Sequence, residues 1–345
     1  MLKICQLHVL GSKMNANYWT ANNISNYFDI TRQGVHSAEE RGDIPKAIRI
    51  NRGKVSVRNW GIEAIPAIGE QFGFLKKPKK QVIFAVYTCK GGVLKTSISF
   101  NLARTLALNG IKTLIVGLEG NQYSITGLCL PQQEDEALME LENMPSLYHY
   151  FYEEAPLKDI IKKTELPTLD IIPETAELNS FGRKLLYERN REFLFKTKLI
   201  PHLSEYDVII FDNGANLNLI AENSLTCADV LISPLGCESL AFKAVKTNFH
   251  EIFKFKEALG VEWKDLIVIP TLLANTAISQ KFYASYVNSY PEYVTKIPIK
   301  QFNAISEEAM LMKKSVLEYK QNSELAEEYK LIIQEIWERA NKEDI

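Results

Sequence analysis

Cysteine is scarce in this sequence: Cys5, Cys89, Cys129, Cys227 and Cys237 are its five residues, far apart and without a C-x-x-C pair. That spacing argues against a disulfide framework or a zinc site and for small buried thiols in a reducing compartment. Histidine is as sparse, with five unclustered residues that suggest no zinc. Long hydrophobic runs are also missing. No stretch of 18 apolar residues occurs, so no membrane span is expected. Met1 to Ser12 is too short for a secretory signal and lacks its small-residue cleavage pattern. Residues 1–18 therefore read as an N-terminal arm suited to a dimer contact, and the expected location is the cytoplasm.

Apolar material, by contrast, is plentiful. Hydrophobic residues make up 46% of the 345, enough for a sizeable core. The length suggests two domains, on a prior of about 150 residues each. The net charge of −2 conceals an asymmetry: residues 1–80 hold thirteen Lys/Arg against six Asp/Glu, and the remaining 265 hold 27 against 36. A basic first piece on an acidic body suggests contact with a polyanion. Four of those lysines fall in one connecting run, Leu75-Lys76-Lys77-Pro78-Lys79-Lys80, which reads as a solvated linker over 75–80.

The body, 81–345, is organised around Lys90-Gly91-Gly92-Val93-Leu94-Lys95-Thr96-Ser97. The β-prone run Val82–Tyr87 leads into it, and a helical pattern with Ile98, Leu102, Ala103 and Leu106 on one stripe follows, stopped by Asn109-Gly110. Strand, glycine-bearing loop and helix form the context of a phosphate-binding loop. Paired glycines admit an oxyanion close to the backbone, and successive N–H groups with the helix start supply positive potential. In such a loop Lys95 reaches the β- and γ-phosphates of ATP or ADP, and Thr96 offers its hydroxyl to Mg²⁺.

A second signal is Tyr206-Asp207-Val208-Ile209-Ile210-Phe211-Asp212, an apolar strand ending in a carboxylate that suits Mg²⁺, commonly through water. Further buried strands are expected at 113–118, 169–173, 228–235, 266–271 and 296–299. Helices are expected at 178–203, 304–319 and 323–340, the last with Leu325, Tyr329, Ile332, Ile333 and Ile336 as its stripe. Strands alternating with helices imply an α/β, doubly wound, mostly parallel sheet with its ligand at the strand C-terminal ends.

Ahead of the body, 19–74 reads as a small winged helix-turn-helix. Thr20 caps a helix Ala21–Phe28, Asp29-Ile30 turns, and Thr31 caps a second helix closed by Gly42. Arg32, Gln33 and His36 face outward on that second helix. A hairpin over 48–57 forms a wing tipped by Arg52 and Lys54, and Trp60–Phe72 is a further amphipathic segment. DNA binding is the favoured role, with a three-helix interaction module as the alternative.

The loop lacks the glycine that usually precedes its lysine and starts with a second lysine. It thereby resembles the deviant Walker A box, KGGVGKT[ST], of the ParA/MinD ATPases, with Leu94 at a glycine position as in the larger, SopA-like plasmid-partition members. The resemblance covers about 81–340. It implies an ATP-sandwich homodimer in which Lys90 crosses to the partner's nucleotide. It also implies non-specific DNA binding by that dimer, through basic residues such as Lys313 and Lys314, hence nucleoid association. A ParB-like centromere-binding partner and autoregulation of transcription belong to the same picture, and a membrane does not. The family's D-x-D-P-Q switch is shortened here to Glu119-Gly120-Asn121-Gln122, and Ala215 replaces the usual proline after Asp212. Two functions follow from this: a weak Mg-dependent partition ATPase with Glu119 as its carboxylate, or a non-hydrolysing, nucleotide-gated DNA-binding regulator.

Overall fold

The computed structural model describes residues 18–52, 55–120, 124–130, 144–301 and 303–342. Its N-terminal part begins with β1 (Tyr18–Thr20), α1 (Ala21–Phe28) and α2 (Arg32–Arg41), followed by β2 (Ile48–Arg52), β3 (Val55–Gly61) and α3 (Ile65–Phe72). The helix limits follow from local chemistry. Thr20 and Asn23 form a reciprocal cap on α1, Thr31 caps α2, and Gly42 closes α2 in the left-handed region at φ 81°. The three strands form an antiparallel sheet in the order β1-β3-β2. Trp60, expected in the amphipathic segment, instead pairs with Trp19 in the sheet, and its indole N–H donates to the Pro45 carbonyl at 2.7 Å. Pro66 suits the first turn of α3, so the helix starts only at Ile65.

The body runs β4 (Val82–Val86), α4 (Lys95–Leu108), β5 (Thr113–Gly117), α5 (Ser124–Cys129), α6 (Leu147–Tyr152), α7 (Leu157–Ile160), β6 (Lys162–Lys163), β7 (Leu169–Ile172), α8 (Leu178–Leu185), β8 (Val208–Asp212), α9 (Leu219–Cys227), β9 (Val230–Gly236), α10 (Ser239–Leu259), β10 (Asp265–Thr271), α11 (Ala277–Ser289), α12 (Asn303–Leu311), α13 (Val316–Tyr319) and α14 (Glu324–Ala340). Its sheet has the order β10-β9-β4-β8-β5-β7-β6, parallel except for the edge strand β6. The buried strands β4, β5, β7, β8 and β9 are apolar almost throughout, as a sheet covered on both faces requires. Among the described residues no helix is long and apolar enough to cross a membrane.

Four expectations change. Residues 178–203 are not one solvated helix: α8 ends at Leu185, and shorter turns bury Leu194, Phe195, Leu199 and Leu203. Segment 296–299 forms no strand and is tied to the sheet by isolated bridges at Val294 and Lys300. The helix over 304–319 breaks at Lys313, whose φ is 52°, and restarts at the Ser315 cap. Lastly, α4 is buried on nearly every side instead of along one stripe. α5 and α13 of the body pack on it, and the N-terminal part covers its C-terminal end. A Cβ on Gly69 would lie 1.9 Å from the Leu108 carbonyl oxygen, so only glycine lets α3 approach so closely.

Segment 75–80 joins in this packing. Leu75 is buried and its N–H donates to Asn109 Oδ1, while the Lys76 carbonyl accepts from the Trp337 indole. One apolar cluster therefore runs from Trp19, Ile24 and Val35 through Ile68 to Leu108 and Ile336.

Candidate active site

Between β4 and α4 the chain makes an irregular loop in which Gly92 (φ 72°) and Leu94 (φ 69°) are both left-handed. Gly92 adopts this freely, whereas Leu94 is strained by roughly 1–2 kcal/mol. A Cβ on Gly91 or Gly92 would meet no atom within 4 Å, so both present bare backbone to open space. Val93 is buried, and its carbonyl accepts from the Thr271 hydroxyl. Lys95 folds back across the loop, its Nζ donating to the Lys90 carbonyl at 2.9 Å. Burial lowers its pKa, against the opposing pull of Asp212 and Glu119.

Asp212 closes β8, the strand between β4 and β5, and is 1% exposed. It accepts the hydroxyls of Thr96 at 2.8 Å and Ser99 at 2.7 Å. Burial pushes its carboxyl up to about 6, although both hydroxyls and Lys95 pull the other way. A carboxylate flanked by hydroxyl oxygens is a hard donor set that fits Mg²⁺, and bare glycine backbone beside a lysine fits polyphosphate. Ser99 escaped the sequence reading. Its place one helical turn beyond Thr96 is the signal that could have found it. Ser97 is buried, and its carbonyl accepts from the Asn101 side chain.

Glu119 lies two residues past β5 and enters the same site. A Cβ on Gly214 would stand 3.7 Å from its Cγ, and its charge acts on both Lys95 and Asp212. The shortened switch thus still delivers a carboxylate to the loop. Asn121 and Gln122 lie outside the described residues. Lys90 is half-buried and its Nζ pairs with Glu238 Oε2 at 3.0 Å. A further carboxylate that sequence reasoning missed, Glu174, lies just past β7 and is fully buried.

The described residues assigned to DNA lie on separate elements. Arg32 and Gln33 are exposed on the first turn of α2, with His36 half-buried behind them. Arg52 ends β2, and Lys54 lies outside the described residues. Lys313 and Lys314 are half-buried. The Lys313 amine donates to the Leu130 carbonyl, and burial lowers the pKa of both. Within the N-terminal part Arg58 pairs with Glu39 and Glu40, and Asp29 holds Lys330 of the body.

A family model described as an AAA domain matches residues 81–264. The chromosome partitioning protein ParA of Myxococcus xanthus is 30% identical over 195 residues, 56% of this chain. The alignment spans 66% of that relative, just under two thirds of its length. Protein SopA of Escherichia coli (strain K12) is 29% identical over 279 residues, 76% of this chain and 70% of SopA. The structure of a plasmid partition protein from Borrelia burgdorferi B31 bound to AMPPNP superimposes with a TM-score of 0.59 at 22% identity, covering 75% of this chain and 98% of that one. At that identity the likeness is one of fold.

Proposed function

Since this chain belongs to the ParA/MinD ATPase superfamily, we propose that it is a partition-type ATPase that binds Mg-ATP at the Lys90–Ser97 loop and moves DNA. The observation that carries the reading is the cluster of Thr96, Ser99 and Asp212 beneath the bare backbone of Gly91 and Gly92, with the Lys95 amine across the loop mouth. Loop N–H groups from Gly91 to Thr96 bind the phosphates, and Lys95 turns from the Lys90 carbonyl to the β- and γ-phosphates. Thr96 and Asp212 hold Mg²⁺, which neutralises phosphate charge. Glu119, beside Gly214, orients the attacking water.

ATP joins two copies, and Lys90 leaves Glu238 to reach the partner's nucleotide. The ATP dimer binds DNA without sequence preference, and a ParB-like centromere-binding protein stimulates slow hydrolysis. Exposed Arg32 and Gln33, together with Arg52 and Lys54, supply phosphate contacts whose affinity falls steeply with salt. Operator binding through the same part provides autoregulation, and nucleoid association follows from DNA binding.

The experiment is nucleotide binding and ATP turnover with and without DNA, beside a Lys95→Ala control. Binding with slow turnover that the control abolishes is expected. Absence of binding overturns the reading. A second reading, a nucleotide-gated DNA-binding regulator, is favoured by two sequence departures: Gln122 follows Glu119-Gly120-Asn121 directly, without the aspartate–proline pair, and Ala215 stands where proline is usual. It requires binding without turnover.

A further inference from the structure

Glu174 is fully buried and belongs to none of the groups invoked so far. One of its oxygens, Oε2, accepts the backbone N–H groups of Ile125 at 3.1 Å and Thr126 at 3.3 Å, in the first turn of α5. Its own N–H donates to Thr126 Oγ1 at 2.8 Å. The other oxygen, Oε1, has no hydrogen-bond partner. The side chain reaches α5 by crossing over the last residue of β5. A Cβ on Gly117 would lie 2.4 Å from Glu174 Cγ and 2.7 Å from Ile125 Cγ2, so the crossing exists because residue 117 has no side chain.

The same turn touches the other end of the segment that leaves β5. A Cβ on Gly120 would stand 3.1 Å from Leu178 Cβ and 3.5 Å from the Thr175 carbonyl oxygen. Residues 174–178 therefore hold the chain at Gly120, next to Glu119, and again at Ile125. A carboxylate whose neighbours in space are Asp212 and Glu119 is a costly tether unless it is neutral. Burial, reinforced by those two charges, pushes its carboxyl up to about 8, so at pH 7 it is held as the acid.

We propose that Glu174 is a positioning residue that clamps the start of α5 to the end of β7 and thereby holds Glu119 against the nucleotide loop. The role rests on the ATPase reading given above. It predicts an effect on the chemical step through Glu119 rather than on nucleotide affinity, which the loop and Asp212 determine. Glutamine preserves the acceptor oxygen and is neutral at every pH, so it should substitute. Alanine removes the acceptor and leaves two buried N–H groups unpaired.

The test compares wild type with Glu174→Gln, Glu174→Ala and Gly117→Ala, the last placing a methyl where the Glu174 side chain crosses. Nucleotide affinity, turnover and amide hydrogen exchange across 117–129 are measured on full-length protein. Expected are turnover within twofold of wild type for Glu174→Gln and at least a tenfold loss in kcat for Glu174→Ala. KM should move by less than threefold, and exchange at Ile125 and Thr126 should be about tenfold faster. Gly117→Ala should reproduce the alanine result even if Glu174→Ala does not fold. If wild type binds nucleotide without turnover, the readout is the protection that Mg-ATP confers on 117–129, expected in Glu174→Gln and lost in Gly117→Ala. Unchanged kcat and protection in Glu174→Ala and Gly117→Ala overturn the role while the ATPase reading stands. A Glu174→Gln variant as impaired as the alanine overturns it too. Wild type that binds no nucleotide overturns both.

Discussion

The helix α4 carries buried charge in two places, and the two are treated in opposite ways. Arg104, 2% exposed, is answered in full. It forms a bidentate pair with Glu318 at 2.6 and 2.7 Å and a further bond to Glu165 at 2.8 Å. Glu318 in turn takes the N–H and hydroxyl of Ser315, which completes its acceptor set. Burial raises the carboxyl, but Arg104 outweighs it, so Glu318 is held below its ordinary range and the Arg104 guanidinium above its own. Two and a half turns earlier, about 13.5 Å along the axis, Lys95 and Asp212 are buried without making such a pair. Lys95 spends its amine on a backbone carbonyl, and Asp212 takes two neutral hydroxyls. Desolvation dominates both, lowering the lysine and raising the aspartate. Charges compensated by protein hold structure together. Charges left to desolvation await a ligand that compensates them.

Breaking the compensated pair gives the largest effect. Glu318→Ala leaves the buried guanidinium with Glu165 alone and is expected to cost about 3–5 kcal/mol. A lowered urea midpoint at unchanged slope would show it, with the nucleotide affinity of the folded protein within a few-fold of wild type. At the other pole, Asp212→Asn should stabilise the ligand-free protein. The folded pKa of about 6 lies above the ordinary aspartate value of 3.8. Ionisation therefore penalises the folded state, by nothing below about pH 4, increasingly up to pH 6, and fully above it. The expected gain is about 2–3 kcal/mol at pH 7, vanishing near pH 4. Thermal unfolding at the two pH values checks the sign, and Mg-nucleotide binding should be lost at the same time. Binding by wild type should likewise weaken as pH falls below 6. Lys95→Ala is smaller still. The charge-assisted contacts it removes are worth about 2 kcal/mol, or roughly a thirtyfold loss of ATP affinity by titration, with unliganded stability no lower than wild type.

The contrast also explains what was legible in the sequence. Central strands such as Val82–Val86 and Val208–Asp212 declare themselves, because burial on both faces demands unbroken apolar runs. Thr20, Thr31 and Gly42 mark helix ends through local chemistry alone. The phosphate loop and Asp212 were readable because each combines a residue type with a strand end. What stayed hidden depends on pairing across the fold. The strands β1 and β6, three and two residues long, exist only through their neighbours. Glu318 and Arg104 are far apart in the chain, and neither belongs to a motif. Glu174 meets Gly117 only because β5 and β7 are adjacent in the sheet. The one hint was an acidic residue following an apolar strand and proline at the sheet edge where ligands collect.

The smallest stability effect should come from the charge most exposed at the loop. Lys90 pairs with Glu238, whose side chain is 55% exposed, and such pairs contribute at most about 1 kcal/mol because water screens them. Lys90→Ala should therefore leave the unfolding midpoint nearly unmoved, in contrast to Glu318→Ala. If Lys90 serves the partner's nucleotide, the same substitution should reduce turnover at least tenfold. It should also flatten the dependence of specific activity on protein concentration, because the step that needs two copies is the one removed. A Lys90→Ala protein with normal, concentration-dependent turnover would mean that the lysine only decorates its own loop. A destabilised one would move Lys90 to the structural side of the comparison, beside Arg104.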